Sequence, residues 1–166
     1  MSSFLIPTDD QIRIATANPL MAWAIPQLTK LNNCVLMGSV VLDFFSIRRP
    51  IDVDVLVSAG DWSYLAEQYP SKIFRPQSNF GHGIALEDDG KRMELFSVWQ
   101  YVDNKLLFTH AIPISTCWGE IRIAPLELVY QYKVQASLVP GGKKHWNDCV
   151  SLATYFHSRG KAVRLL

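Results

Sequence analysis

The sequence predicts an α+β domain, a small mixed or antiparallel sheet flanked by helices. Three observations predict it. Residues 51–57 alternate apolar and other side chains with a period of two, as a half-buried strand does. Residues 82–86 and 92–98 flank Glu87-Asp88-Asp89-Gly90-Lys91, a polar turn containing glycine, which reads as a β-hairpin. Helical patterns occupy 126–138 and 144–159. With 166 residues and no Ser/Gly/Pro-rich linker, the chain reads as one domain over 1–166, with a core at about 33–125 and a helical part at about 125–166.

Taken in order, Thr8 followed by Asp9-Asp10-Gln11 has the spacing of a capping box and predicts a helix start. Asn18-Pro19 interrupts that helix, and 20–31 reads as a second one, with Pro26 as a break or kink inside it. The apolar run 34–37 ends at Gly38-Ser39, a strand and then a turn, and 40–45 begins a helix. Arg48-Arg49-Pro50 is a loop. Strand 51–57 puts residues 51, 53, 55 and 57 on one face, and Asp52 and Asp54 on the other beside Leu56. Residues 61–69 are expected to be helical, with Asp61 near the start. Segments 106–114 and 120–123 read as further strands. Pro125 stands where a helix over 126–138 begins, Pro140-Gly141-Gly142 breaks it, and a last helix over 144–159 stops at Gly160.

Composition excludes several classes of function. The formal net charge is +1, so no global field attracts nucleic acid or a membrane. No apolar run approaches the ~20 residues a membrane helix needs, and the start MSSFLIPTDDQ lacks the pattern of a signal peptide, so a cytoplasmic location is expected. Cys34, Cys117 and Cys149 are scattered and odd in number, which suits a reduced compartment. His82, His110, His145 and His157 are equally dispersed, against a Cys/His zinc site. The basic residues Lys133, Lys143, Lys144, Arg159, Lys161 and Arg164 face only Asp148 toward the C-terminus, and read as an ordinary solvated surface rather than a nucleic-acid face.

Candidate chemistry lies in three pieces. Gly38-Ser39 follows an apolar strand, and glycine there lets backbone approach a phosphate. Asp52-x-Asp54 puts two carboxylates on one strand face, where they repel unless a cation joins them. Hard cations such as magnesium take such oxygen ligands together with substrate phosphates. Glu94 is a third carboxylate on an alternating strand. Each has a plainer role open to it: Ser39 as a helix cap, Asp52 and Asp54 on a solvent face, Glu94 as a surface carboxylate; Lys133, farther along, could likewise be a solvated helix lysine.

Together, Leu36-Met37-Gly38-Ser39, Arg48-x-x-x-Asp52-Val53-Asp54-Val55-Leu56-Val57 and Met93-Glu94-Leu95-Phe96 resemble the signature of the DNA polymerase β-like nucleotidyltransferase superfamily. Residues 125–133 and Lys143-Lys144-His145-x-x-Asp148 resemble two further stretches of its small bacterial members, the antitoxin-like and abortive-infection-type nucleotidyltransferases. The resemblance spans about 35–155 and departs from the pattern at Pro50, where many relatives have Thr. It implies a nucleotidyltransferase-like fold that moves a nucleoside monophosphate from a nucleoside triphosphate to an acceptor hydroxyl and releases pyrophosphate. The acceptor would be a protein, an RNA or a small molecule, and the metal magnesium or manganese. Asp52, Asp54 and Glu94 would be the catalytic metal ligands, and Gly38, Ser39, Arg48 and Lys133 would bind the nucleotide. The alternative is a nucleotidyltransferase-fold protein without turnover that acts by binding a partner, as an antitoxin or regulatory subunit does.

Overall fold

The computed structural model describes residues 4–76 and 81–162. Among them, seven strands form one mixed sheet with helices around it, so the α+β expectation holds. The helices are α1 Asp9–Thr16, α2 Pro19–Leu28, α3 Ser39–Phe44, α4 Ala59–Gln68, α5 Asn104–His110, α6 Leu126–Ser137 and α7 Lys143–Ser158. The strands are β1 Cys34–Met37, β2 Val53–Val57, β3 Ile73–Phe74, β4 Gly83–Asp88, β5 Lys91–Phe96, β6 Ile112–Thr116 and β7 Gly119–Ile123. Their order across the sheet is β3-β4-β5-β2-β1-β7-β6.

Local chemistry accounts for most boundaries. The capping box forms: Thr8 Oγ1 accepts from Gln11 N at 3.3 Å, and Gln11 Oε1 accepts from Thr8 N at 2.9 Å. Asn18 caps α2, and Pro19 opens it, since proline's missing N–H has no partner to lose at a first turn. Pro26 does not end α2, which runs on to Leu28. The polar turn gives the β4–β5 hairpin, with Asp89 and Gly90 both at positive φ. Gly142 permits the junction of α6 and α7: a Cβ there would stand 2.0 Å from the Ala136 carbonyl oxygen.

Two expectations are corrected. The alternating strand begins at Val53, and Ile51 is 84% exposed, so it is not on the core face with Val53, Val55 and Val57. Asp52 therefore stands in the turn entering the strand rather than inside it. Segment 106–114 is not one strand: Asp103 caps α5 by accepting from Lys105 N at 2.8 Å, and the strand starts only at Ile112. The apolar run hid the boundary, because Leu106, Leu107 and Phe108 suit either structure.

The central strands β1 and β2 are covered on both faces. Beneath the sheet, α2 and α4 pack toward Met93 and Leu95 of β5. The opposite face of β5 carries Glu94 and Phe96, which turn toward α6 and α7 across a cleft. Among the described residues no helix is long and apolar enough to cross a membrane. The cysteines are free thiols. The basic residues do not make one face: Lys133 is buried, Lys161 bonds Glu127, Arg159 lies over the Tyr155 ring, and Arg164 is outside the described residues.

Asp61 locks the underside together. Only 3% exposed, its carboxylate accepts from Asn32 N at 3.1 Å, Asn32 Nδ2 at 3.0 Å, Asn33 N at 2.8 Å and Ser58 Oγ at 2.9 Å. Burial alone would raise its pKa, but these donors prevail and hold the carboxyl below the usual aspartate range. The unfolded chain binds the proton more tightly, so this stabilisation is complete above the ordinary aspartate pKa of about 3.9 and fades as pH falls through the lower folded-state value. Asp61→Ala is expected to cost about 3 kcal/mol at pH 7, and urea titrations should show the gap from wild type narrowing as pH falls below the ordinary aspartate pKa.

Candidate active site

The sheet delivers the carboxylates. Strands β2 and β5 run parallel, with Asp54 directly opposite Glu94. Neighbouring strands lie about 4.8 Å apart, so both side chains leave the same face side by side. Asp52, two residues before Asp54, lines the same cleft of about 850 Å³. Of the residues named from sequence, Ser39, Arg48, Asp52, Asp54, Glu94 and Lys133 all line this cleft.

Electrostatics records the crowding. The Asp54 carboxyl is pushed up to about 7, first by burial and then by the negative charges of Asp52 and Glu94, against opposition from Lys133 and Lys144. Glu94 has a partner already: Arg92 Nε donates to its Oε1 at 2.7 Å, while the same guanidinium also bonds Glu87 and lies over the Phe74 ring.

Gly38 is placed differently from the expectation. It does not line the cleft. Its φ of +63° and ψ of −141° are open essentially to glycine alone, and a Cβ would stand 2.5 Å from Asp54 Oδ2. The glycine makes room for the Asp54 carboxylate where β1 turns into α3. Ser39 is the first residue of α3 rather than its cap, and is buried at the cleft wall.

The opposite wall rests on Asp148. This carboxylate is 3% exposed and receives Arg48 Nε at 2.6 Å, Arg48 Nη2 at 3.0 Å and Lys133 Nζ at 2.9 Å. Burial opposes its charge, but the Arg48 hydrogen bonds and the Lys133 charge leave the carboxyl more acidic than usual. Lys133 is therefore not a solvated helix lysine. It is 5% exposed, and His145 Nδ1 lies 3.5 Å from its ammonium. Burial and the charges of Lys133 and Lys144 push His145 down to about 4, so its ring is neutral at pH 7 and accepts from Lys133. Arg48 and Lys133 thus reach the cleft already engaged. Lys144, read from sequence as part of a solvated basic stretch and not among the nucleotide-binding residues, is exposed on the cleft wall with no ion pair among the described residues. The signal for it was a basic pair opening a helix against the helix dipole.

The remaining wall is aromatic, built by Phe74, Phe96, Trp99, Tyr101 and Tyr132. Sequence reading missed it, because the rings come from β3, β5, the loop after β5, and α6.

The donor set is chemically of the kind a hard cation takes when a substrate shares its shell. Asp52, Asp54 and Glu94 offer carboxylate oxygens whose mutual repulsion a divalent ion relieves, and magnesium needs only one or two of them if substrate phosphates complete its shell. Among the described residues no three His, Cys, Asp or Glu side chains are gathered closely enough to hold a metal alone.

No family model matches the chain, and no curated protein matches it. Among solved structures, it is similar to the crystal structure of an antigenic nucleotidyltransferase-like protein from Paracoccidioides brasiliensis, with 15% identity and a TM-score of 0.46 over 89% of this chain and 77% of that one. Likeness at this level establishes neither a shared family nor an activity for this chain.

Two outcomes are expected of this geometry. Gly38→Ala should destabilise by about 1–3 kcal/mol, because alanine is strained at that φ and ψ and its methyl meets Asp54; chemical denaturation measures it, and an unchanged midpoint would refute it. Asp148→Ala leaves Lys133 buried without its counter-charge and should cost about 3–5 kcal/mol, part of which Asp148→Ala/Lys133→Met recovers. If the double variant is no more stable than the single one, the two residues are not coupled.

Proposed function

We propose that the cleft binds a nucleoside triphosphate with magnesium and transfers the nucleoside monophosphate to an acceptor hydroxyl. The observation that carries this reading is the Asp54–Glu94 pair, in register on parallel strands beside Asp52, facing Lys133 and Lys144 across one cleft. Paired acids opposite paired bases match a ligand that is itself a metal-neutralised polyanion.

Asp52 and Asp54 would hold the metal, with Glu94 as a third ligand through the oxygen that Arg92 does not engage. Bound magnesium, or manganese, neutralises phosphate charge and makes an attacking hydroxyl more acidic. The chain supplies the rest. Ser39 offers a hydroxyl to a phosphate oxygen, and Lys144 offers a charge that has no ion pair among the described residues. Lys133 and Arg48 add positive potential from behind while tied to Asp148. A carboxylate beside the acceptor takes the hydroxyl proton, the oxygen–α-phosphorus bond forms, and the bond to the β-phosphate oxygen breaks, so pyrophosphate departs. The acceptor is a protein, RNA or small-molecule hydroxyl.

A second reading has an observation in its favour. Glu94 is neutralised by Arg92, and no three acids close into a metal cage among the described residues, which suits a chain that binds a partner without turnover.

Thermal unfolding with each nucleoside triphosphate, with and without magnesium, separates the readings. At about 100 times the dissociation constant, a ligand of the folded state adds about 2.7 kcal/mol. The wild type should be stabilised only by metal and nucleotide together, Asp52→Ala/Asp54→Ala should not respond, and pyrophosphate should accumulate with a suitable acceptor. A wild type indifferent to every nucleotide would overturn the enzyme reading and favour partner binding.

A further inference from the structure

We infer that the outer face of α7 is a docking surface for a protein partner whose contacting element is an acidic amphipathic helix. This surface lies outside the acid cluster and acts whether or not the chain turns over a nucleotide.

The face is apolar where a solvated helix is polar. Trp146 is 59% exposed and Val150 52%, and the two stand four residues apart, so they share one stripe of the helix. Ala153, also exposed, continues the stripe toward the C-terminus. Leu138 and Val139, both exposed, occupy the turn through which α6 passes into α7. Single exposed apolar side chains are ordinary, but a stripe at helical spacing that includes tryptophan is not, and tryptophan is among the residues that protein interfaces favour. The helix already has a buried face, built on Cys149, Leu152 and Phe156, so the outer stripe is not what attaches it to the domain.

Charge selects the partner. Lys143 stands at the head of the stripe, three residues before Trp146, exposed and with no ion pair among the described residues. Lys144 follows it at the cleft wall. No acid lies in the first turn of α7, so both cations oppose the helix dipole with no acidic neighbour on that turn. The single acid of the helix, Asp148, is buried and engaged by Arg48 and Lys133. Beside the stripe, Asn147, Ser151 and Thr154 are exposed and carry no charge. The complement of this face is apolar along one line and acidic at the end that meets Lys143. An amphipathic helix with acids flanking its apolar face presents that pattern and packs side chains between those of α7.

Other occupants match less of it. Two copies packed antiparallel through the stripe would set Lys143 of one near Arg159 of the other, a like-charge contact. An RNA strand would answer the lysines and leave Val150 and Leu138 without a counterpart, and a nucleic-acid face spreads its cations along the backbone it tracks. Val139 and Lys144 also line the cleft, so a helix seated here stands at the cleft mouth.

The test uses a synthetic helical peptide of about 18 residues, with leucines at i, i+3, i+4 and i+7 and glutamates elsewhere, and follows fluorescence anisotropy with the full chain and no nucleotide. The wild type should bind it at least about tenfold more tightly than a peptide with lysines in place of the glutamates, or than one of the same composition scrambled to break the stripe. Trp146→Ser/Val150→Ser and Lys143→Glu should each lose about tenfold or more, with the denaturation midpoint unchanged. No binding by the wild type, or equal binding of the three peptides, overturns the docking surface and needs no variant to fold. Affinity retained in Trp146→Ser/Val150→Ser overturns it as well. So does a wild type that uses these residues to bind single-stranded RNA or anionic vesicles in preference to the peptide, or that self-associates in sedimentation where the double variant is monomeric. The metal–triphosphate reading stands or falls on the nucleotide titrations, independently of each of these results.

Discussion

Asp148 is the residue on which the cleft depends. A carboxylate buried to this extent is costly unless cations and hydrogen bonds answer it, and its partners come from distant parts of the chain. Arg48 lies 100 residues earlier, in the loop that leads to Asp52, and Lys133 stands on α6. One charge on α7 therefore fixes the loop entering β2, the helix beside it, and the separation of the two cleft walls. The sheet determines where the acids stand; Asp148 determines what faces them. Gly142, whose missing side chain lets α7 abut the end of α6, sets the position from which Asp148 reaches both.

The carboxylate side follows a different rule. Parallel pairing of β2 and β5 forces Asp54 and Glu94 together, and Gly38 gives up its side chain so that Asp54 fits against the end of β1. None of this favours the folded chain: like charges repel, and burial makes Asp54 harder to ionise. Stability would be served by a hydrophobic residue at 54, as at its neighbours Val53 and Val55. Where local chemistry works against the fold while its backbone frame is regular, function is the usual reason.

The parts of this arrangement legible in the sequence are those governed by short-range rules. The capping box at Thr8, the hairpin turn at Asp89-Gly90, the turn at Gly38 and the stop at Gly160 are written within a few residues of where they act. The acids were found because a period of two brings Asp54 to the face opposite Val53 and Val55. Errors arose where periodicity was mute, as at 106–114, or where a regular pattern ran past its strand, as at Ile51. Long-range partnerships left no mark. Nothing near Lys133 announces that it is buried on Asp148, nothing in Asp61 announces its four donors, and the aromatic wall exists only once β3, β5 and α6 have met.

The acid pair and the loop that carries Tyr101 also differ in how they are held. Asp54 and Glu94 sit on central strands whose hydrogen bonds run through the sheet, so their spacing is as fixed as the sheet register. Tyr101 stands at positive φ in the loop after β5, where Asn104 bonds both Trp99 N and the Ser97 carbonyl. A rigid acid pair suits atoms that must be placed to within a fraction of an ångström, as reacting groups must be. Arg92 joins the two regions: it holds Glu94 on one side and lies over Phe74 of the aromatic wall on the other. Because Arg92 engages Oε1, the second carboxylate oxygen of Glu94 keeps its own lone pairs while the guanidinium fixes the direction of the group.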